Sequence, residues 1–386
     1  MRNLSLCMDF SNMSFRALFT CKYNNSENID KFDSEEECAI FARKLMNDIA
    51  TVVRMFTPNE VFLIMDSKNP WRSDICENYK GTRKRDNINI ANVMSTMSEV
   101  SKNLESKGFR ILKVDRAEAD DLAALFIEYT NKNTDNSVIL VSSDEDWRQL
   151  VSYDNDTHRF VCVYNPVVNN KSKNKFYGTK EFMDWYFTFD KMDIFSDSVI
   201  TKRKILEATQ KNERMELEIA SPENVLLTKL LCGDDGDNIP TLYEYYGNTG
   251  KKVRITPLKM SKIIEGCGNI TTVSELVECA KSGTLTEVMK KVTKKDMNDF
   301  DAVSRLERQR DYVELKSERF PLSIVSVFNH QIEKIKSEGV YVNDSMYRGD
   351  RLIAGSKFAK THNADNGAKF NGIFRGLIDV PIDKLF

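Results

Sequence analysis

Short apolar runs of strand length recur through the first half of the chain, and most of them end at an acidic residue. Stretches whose apolar residues recur at helical spacing lie between them. The runs are Leu4–Met8, Val61–Met65, Ile111–Val114, Val138–Val141 and Phe160–Tyr164, and the helical stretches are Glu35–Phe56, Ile90–Glu105 and Ala117–Tyr129. Uninterrupted apolar strands that alternate with helices are typical of a parallel sheet buried on both faces. The sequence therefore predicts an α/β domain over residues 1–185, with a mostly parallel, twisted sheet and helices on both faces.

The second half of the chain is predicted to be mostly helical. Residues 186–220 have the pattern of an inserted charged segment, in which Arg203–Ile219 is typical of an exposed helix. Residues 221–345 continue as helices joined by short turns, and residues 346–386 form a tail rich in Gly, Asn and Lys. We find no internal repeat.

The composition excludes several classes of protein. A hydrophobic fraction of 41% and a charged fraction of 30% are those of an ordinary soluble protein. No run approaches the roughly 20 apolar residues of a membrane span, so no membrane partner is expected. Eight cysteines are scattered singly, without the spacing of a zinc site, and only three histidines occur, far apart. Any catalytic chemistry must therefore rely on other side chains.

Charge is segregated along the chain, although the net charge is only −2. The acidic residues form short clusters at the ends of the apolar runs, whereas basic residues gather in two stretches. The first stretch holds Arg72, Lys80, Arg83, Lys84 and Arg85, and the second holds Lys251, Lys252, Arg254, Lys259 and Lys262. Because the carboxylates of a metal site mask a basic footprint in the net count, we interpret these stretches as contacts for phosphates.

Five acidic clusters are the candidate chemical groups of this chain. They are Asp9, Asp66, Glu118-Ala119-Asp120-Asp121, Asp144-Glu145-Asp146 and Asp234-Asp235-Gly236-Asp237. The first four map to the carboxyl edge of the predicted sheet, where ligands bind in such folds. Taken singly, each has an ordinary alternative, because acids cap helices and form turns after strands. Taken together, like charges packed this closely repel one another unless a cation neutralises them.

The type of ligand indicates which cation this is. Oxygen ligands without Cys or His favour Mg²⁺ or Mn²⁺ over zinc. Two such ions about 4 Å apart hydrolyse phosphodiesters, one by activating water and the other by stabilising the leaving oxygen. The sequence thus predicts phosphoryl hydrolysis with two Mg²⁺ ions, for which Mn²⁺ substitutes.

The order of these acids resembles the flap endonuclease and 5′-nuclease superfamily, and within it the ribonucleases H of T-even-type bacteriophages. Further local matches are Trp71-Arg72, Asn78-Tyr79-Lys80, Ser142-Ser143-Asp144 and Gly233-Asp234-Asp235-Gly236-Asp237-Asn238-Ile239-Pro240. The resemblance covers residues 4–240. It implies a structure-specific 5′ nuclease, a 5′-3′ exonuclease or flap endonuclease, with ribonuclease H activity that removes RNA primers during DNA replication.

The resemblance also implies roles for individual residues. The first metal ion would be held by Asp9, Asp66, Glu118 and Asp120, the second by Asp144, Asp146 and Asp237, with Asp121 and Asp234 in support. Lys80 and Arg85 would contact the scissile phosphate at the base of a helical arch over residues 81–110, with Arg72 and Arg83 also on the nucleic acid. Tyr79 would stack on a base or, alternatively, be a buried anchor. A modified helix–three-turn–helix module over residues 236–285 would place Lys251, Lys252 and Arg254 on phosphates.

The expected partner is duplex DNA or an RNA–DNA hybrid with a 5′ end or a flap. The same resemblance implies a monomer in the cytoplasm of an infected bacterial host. The terminal apolar residues Ile382–Phe386 would dock on a sliding clamp or a single-strand-binding protein, or alternatively pack on their own domain.

Other hypotheses compete with this one. A strand followed by Asp-x-Asp also occurs in toprim domains, but a toprim domain leaves Asp9, Asp66 and Asp237 unexplained. The small ribonucleases with a PIN-type site have similar acids but lack a second helical half. A catalytically silent DNA-binding scaffold of the same fold is expected to lack at least one motif acid, and none is missing here.

Overall fold

Eight strands form one sheet, and the first strand of the chain lies near its centre. The computed structural model describes residues 4–23, 31–56, 58–82, 88–167, 174–187, 215–246, 252–297 and 300–338. The strands are β1 (Leu4–Asp9), β2 (Glu60–Ile64), β3 (Arg110–Leu112), β4 (Ser137–Val141), β5 (Ser152–Tyr153), β6 (Phe160–Asn165), β7 (Asn174–Gly178) and β8 (Met215–Ile219). Their order is β3-β2-β1-β4-β6-β7-β8, and β5 pairs with β6. Strands β3, β2, β1, β4 and β6 run parallel, whereas β7 is antiparallel to β6, so the prediction of a mostly parallel sheet is confirmed.

Alternate residues of the central strands enter different hydrophobic clusters on the two faces of the sheet. In β1, Leu6 and Met8 join the first cluster and Cys7 joins the second. The first face is covered by α1 (Phe10–Tyr23), α2 (Glu35–Phe56), α3 (Ile90–Glu105) and α5 (Lys180–Phe187), and the second by α4 (Ala119–Asn133). Because both faces are covered, every residue of β1, β2 and β4 is buried, which explains the uninterrupted apolar runs.

The prediction of an exposed helix over Arg203–Ile219 is wrong for its last five residues, which form the edge strand β8. This strand pairs in parallel with β7. Its sequence, Met-Glu-Leu-Glu-Ile, alternates apolar and charged residues with the period of a strand. Leu217 packs on the first cluster, and Glu218 forms an ion pair with Lys175 of β7. The sheet domain therefore extends past residue 185, and residues 188–214 lie outside the described part of the chain.

Five helices after β8 build most of a third hydrophobic cluster, which Cys76 also joins. They are α6 (Pro222–Cys232), α7 (Pro257–Gly266), α8 (Val273–Lys281), α9 (Thr284–Thr293) and α10 (Ala302–Val313), with a two-stranded hairpin of β9 (Tyr245–Tyr246) and β10 (Lys252–Val253) between α6 and α7. Ser221, Thr256 and Thr272 cap α6, α7 and α8 through their side-chain oxygens. The hairpin, α7 and α8 thus occupy the region expected to hold the modified helix–three-turn–helix module.

The last described helix, α11 (Leu322–Ser337), returns to the sheet domain. Ile324, Phe328 and Ile332 pack in the second cluster, and Lys336 forms an ion pair with Glu60 at the start of β2. The helical part predicted over residues 221–345 therefore belongs to two cores. Helices α6–α10 pack in the third cluster, whereas α11 packs on the sheet. The spacing of apolar residues predicts that α11 is amphipathic but does not show what it packs against.

Most of the segment expected to form an arch, residues 81–110, lies against the sheet domain. Val93, Met97 and Val100 of α3 are buried in the first cluster beside α2. Residues 83–87 of that segment and the tail 346–386 lie outside the described residues. None of the described helices combines the length and the apolar character needed to cross a membrane.

Candidate active site

Carboxylates from three neighbouring strands meet at the carboxyl edge of the sheet. Asp9 is the last residue of β1, Asp66 follows the end of β2, and Asp144 follows the end of β4. Because β1 lies between β2 and β4 and is parallel to both, the three strand ends lie side by side. Burial raises the pKa of Asp9 well above its usual value, and the charges of Asp66 and Asp144 raise it further. The three acids therefore share one electrostatic environment.

Hydrogen bonds fix the orientation of these acids. Asp9 accepts hydrogen bonds from the N–H of Asn12 (2.8 Å) and the hydroxyl of Ser142 (3.0 Å). The same hydroxyl oxygen accepts a hydrogen bond from the N–H of Asp144 (3.1 Å), so Ser142 connects the ends of β1 and β4. Asp66 accepts a hydrogen bond from the N–H of Ala119 (2.9 Å), which connects β2 to the start of α4.

The N-terminus of α4 adds further acids to this edge. Glu118 is the N-cap, and it forms a capping box with Asp121. Asp120, in contrast, accepts a hydrogen bond from the indole N–H of Trp147 (2.5 Å). Burial raises the pKa of Asp120 well above its usual value, and the charges of Asp144 and Asp146 raise it further. Glu118 and Asp121 thus also cap the helix, whereas Asp120 belongs to the group of repelling carboxylates.

A tight loop after α6 brings the last acids to the site. Gly233 ends α6 with a φ of 69°, and Asp234 and Ile239 exchange two backbone hydrogen bonds (3.0 and 2.8 Å) across the loop. A Cβ atom on Gly233 would lie 2.3 Å from the carbonyl oxygen of Pro240, so only glycine fits there. The loop is held in one conformation, and it carries both Asp234 and Asp237.

Two lysines connect this loop to the acids of the sheet domain. Lys80 forms ion pairs with Glu118 and, at 3.5 Å, with Asp237. Lys229, on α6, forms ion pairs with Asp146, at 2.6 Å, and with Asp234. Burial lowers the pKa of both ammonium groups, but the neighbouring carboxylates outweigh burial and raise it above the usual value. Both lysines therefore carry a permanent positive charge.

Tyr79 lies between the same two carboxylates as Lys80. Its hydroxyl oxygen is 2.9 Å from a carboxylate oxygen of Glu118 and 3.1 Å from one of Asp237, so it donates to either of them. Burial alone would raise the pKa of Glu118, but Lys80 and Arg72 hold it below its usual value. Glu118 is thus well neutralised by its cationic neighbours.

The site retains more negative charge than its lysines neutralise. Burial raises the pKa of Asp146 to about 6, an effect that Lys229 opposes and Asp144 strengthens. Among the described residues, no three Asp, Glu, His or Cys side chains are placed so that they could hold a metal ion together. The oxygen-only donor set nevertheless fits hard divalent cations, and so does the mutual repulsion that raises the pKa of Asp9 and Asp120, because such cations lower this repulsion directly.

Comparison with known proteins finds a similarity for the domain that carries this site. The family model of the 5′-3′ exonuclease N-terminal, resolvase-like domain matches residues 5–186. This part of the chain is therefore similar to the N-terminal domain of 5′-3′ exonucleases. A 5′-3′ exonuclease of Mycoplasmopsis pulmonis (strain UAB CTIP) is 29% identical over 127 residues, which are 30% of this chain and 40% of that relative. The matching region thus spans less than half the length of the relative.

Two solved structures are similar over most of the chain. T5 5′-exonuclease with bound divalent metal ions (zinc) has 17% sequence identity and a TM-score of 0.49, over 87% of this chain and 97% of the T5 chain. The catalytic core of Rad2 in complex with DNA substrate has 12% identity and a TM-score of 0.38, over 85% of this chain and 79% of the Rad2 chain.

Arg72 does not face the nucleic acid, contrary to the prediction. Its side chain is 2% exposed and donates hydrogen bonds to Glu118 (3.0 Å) and to the carbonyl oxygen of Tyr312 (2.8 Å). It also forms an ion pair with Asp121 at 2.7 Å. Asp121 in turn is fully buried and accepts a hydrogen bond from the indole N–H of Trp71 (3.0 Å), so it faces the protein core rather than a metal position. Arg72 and Asp121 support the site from beneath.

The remaining predicted nucleic-acid contacts divide into two groups. Arg254 donates a hydrogen bond to the carbonyl oxygen of Ile239 (2.8 Å) and forms an ion pair with Asp235, so it holds the acidic loop. Lys252 contributes backbone pairing to the hairpin. Arg83, Arg85 and Lys251 lie outside the described residues.

Sequence reasoning did not identify Lys229 or Trp147, although each leaves a signal. Lys229 is a single charge within the apolar segment Val225–Cys232, and a lone charge on a buried helix requires a partner. Trp147 directly follows the acidic cluster of residues 144–146, and a buried indole N–H requires an acceptor.

Proposed function

We propose that the protein is a metal-dependent 5′ nuclease that hydrolyses phosphodiester bonds near the 5′ end of a strand, in DNA and in RNA–DNA duplexes. One observation supports this above the others. Acids from β1, β2, β4, α4 and the loop after α6 gather at one edge of a 5′-3′ exonuclease domain, and the nearby lysines leave part of their charge unneutralised. Such a cluster serves phosphoryl chemistry once divalent cations join it.

The cofactors we propose are two Mg²⁺ ions, for which Mn²⁺ would substitute. Asp9, Asp66 and Asp120 would hold one ion, with Glu118 acting directly or through water. Asp144, Asp146 and Asp237 would hold the other, with Asp234 in support. When bound, these ions activate water and neutralise the charge that develops on the phosphoryl oxygens.

Lys80 is the residue we propose to orient the scissile phosphate. Its backbone has a φ of 54°, and its N–H donates a hydrogen bond to the carbonyl oxygen of Asp237 (2.9 Å). A non-glycine residue in this region of conformational space is strained, and the surrounding structure must hold it there. The strain places a permanently charged ammonium group among the acids, where it attracts a phosphate. Tyr79 would assist through its hydroxyl rather than by stacking on a base.

A basic and aromatic surface beside the acidic loop supports duplex binding. Tyr243 and Tyr245 stack with ring centroids 5.8 Å apart, and the ammonium groups of Lys259 and Lys295 lie 5.0 and 5.6 Å from the Tyr245 ring. Arg305 of α10 lies over Tyr243. Cations held in place by aromatic rings suit backbone phosphates, which carry no sequence information. The duplex would therefore be bound without sequence preference.

The test is cleavage of two substrates, a 5′-flapped duplex and a 5′-RNA–DNA hybrid, each labelled at the 3′ end of the strand to be cut. We expect shortening from the 5′ side with Mg²⁺ and none with EDTA. Asp144→Asn should lower the rate at least about 10³-fold and leave binding largely intact, because it removes a metal ligand rather than a phosphate contact. Binding without metal-dependent cleavage of either substrate would show instead a catalytically silent scaffold.

A further inference from the structure

Lys229 stands out among the charged groups of the site because its position on α6 is otherwise apolar. Its neighbours Leu226, Leu227, Leu230 and Leu231 are buried in the third cluster. The Lys229 side chain is only 17% exposed, and Asp146 and Asp234 are buried to a similar degree. A lysine is brought to such a place at the expense of solvation, so its two carboxylate partners must provide the compensation.

The ammonium group of Lys229 pairs with a carboxylate oxygen that is a proposed ligand of the second metal ion. It lies 2.6 Å from Oδ1 of Asp146, a buried carboxylate oxygen. The same ammonium pairs with Asp234 in the loop that also carries Asp237. One cation therefore joins the two halves of the ligand set, from the β4 loop and from the α6 loop.

We propose that Lys229 is the internal counter-ion of the second metal position, and that it sets how tightly this position binds a divalent cation. The inference rests on the proposed function. Without metal, Lys229 neutralises Asp146 and Asp234 and holds the two loops together. With metal, its positive charge stays close to the bound ion and opposes it, because two cations in a partly buried site repel. Lys229 is a positioning residue. It lowers the affinity of the second position for a divalent cation, and it stabilises the two loops in the metal-free protein.

The matched variants are Lys229→Met, which keeps the apolar length without the charge, and Lys229→Arg, which keeps the charge. Lys281→Met is the control, because Lys281 forms an exposed ion pair with Glu278 on α8. Mn²⁺ binding would be titrated by calorimetry without nucleic acid, and the melting temperature would be measured in EDTA. Of the two Mn²⁺ ions, we expect Lys229→Met to bind the more weakly held one at least about fivefold more tightly than the wild type does. In EDTA, Lys229→Met should melt several degrees lower than the wild type. Lys229→Arg and the control should bind Mn²⁺ like the wild type.

The outcomes separate this inference from the proposed function. If Lys229→Met melts lower but binds Mn²⁺ no more tightly than the wild type, Lys229 is purely structural and the inference is overturned, while the nuclease proposal stands. If the wild type binds no Mn²⁺, both proposals are overturned. Should Lys229→Met not fold in EDTA, Lys229→Gln would be titrated instead, since it removes the charge but keeps a hydrogen-bond donor, and unchanged or weaker Mn²⁺ binding would again overturn the inference.

Discussion

Replacement of Arg72 by methionine tests whether this arginine supports the acidic site from within. The guanidinium is 2% exposed and contacts Glu118, Asp121 and the carbonyl oxygen of Tyr312. Breaking a buried ion pair from one side costs about 3–5 kcal/mol, because the other charge stays buried without a partner. The unpaired carbonyl oxygen adds about 1–3 kcal/mol. We therefore expect Arg72→Met to lower the free energy of unfolding by about 4–6 kcal/mol at pH 8, somewhat below the largest sum because the neighbours relax.

The loss of stability in Arg72→Met should depend on pH in one direction, whereas the loss caused by a simple packing defect does not depend on pH. Burial already raises the pKa of Asp121, and Arg72 opposes that rise. Without Arg72 the folded-state pKa of Asp121 rises further above its unfolded value. A raised folded-state pKa contributes stability that is complete below the unfolded value and is lost as pH rises through the folded one. The deficit of Arg72→Met should therefore be larger at pH 8 than at pH 5.

Urea unfolding followed by tryptophan fluorescence is a suitable assay, because Trp71 and Trp147 are buried beside the site. Arg116→Met is the control, since the ion pair of Arg116 with Asp74 is exposed and should contribute less than about 1 kcal/mol. An Arg72→Met protein that unfolds within about 1 kcal/mol of the wild type but binds duplex DNA at least tenfold more weakly would refute this reasoning. That result would instead support the direct contact between Arg72 and the nucleic acid that the sequence predicts.

Three further predictions concern the acids and their loop. Asp120→Asn should raise the melting temperature in EDTA at pH 8 by about 2–4 °C, because the raised pKa of Asp120 means that its charged form destabilises the fold. The same substitution should remove most of the stabilisation that Mn²⁺ gives the wild type. A lower melting temperature in EDTA would contradict this prediction. Gly233→Ala should lower the cleavage rate at least about 10²-fold by displacing the acidic loop away from Pro240, whereas Gly268→Ala, also at positive φ but with open space at its Cβ, should leave the rate within about twofold. Calorimetric Mn²⁺ affinity should fall as pH is lowered through about 6, where Asp146 takes up a proton that competes with the metal, so equal affinity at pH 5 and pH 8 would contradict the assignment of Asp146.

The sheet and its acidic edge were predictable because each strand carries its own evidence. A strand buried on both faces is mostly apolar, and the acid that follows its apolar run marks its carboxyl end, as Asp9 does for β1. Parallel strands then bring these ends to the same edge whatever their order in the sheet. The proximity of Asp66 and Asp144 to Asp9 thus follows from local patterns and one topological rule.

The features that sequence reasoning missed depend on contacts between distant segments. The charge density of Arg203–Ile219 predicts a helix, but pairing with β7 makes Met215–Ile219 a strand. The apolar face of α11 is visible in the sequence, yet its return to the sheet is a tertiary choice. Arginine is a residue type that commonly binds phosphate, and only the fold shows that Arg72 forms ion pairs with Glu118 and Asp121 instead.

The corrected positions of the basic residues explain how one site holds so many acids without unfolding. A permanent cation, Arg72, lies beneath the acids and neutralises those that cap α4. Two lysines, Lys80 and Lys229, lie between the sheet domain and the loop after α6, and each joins one carboxylate from either side. Because a lysine ammonium is a compact charge on a flexible stem, it can yield a carboxylate to a metal ion, whereas a buried guanidinium fixed by several hydrogen bonds cannot. Substitution of Lys80 or Lys229 should therefore change metal binding and cleavage more than folding, and substitution of Arg72 should change folding first.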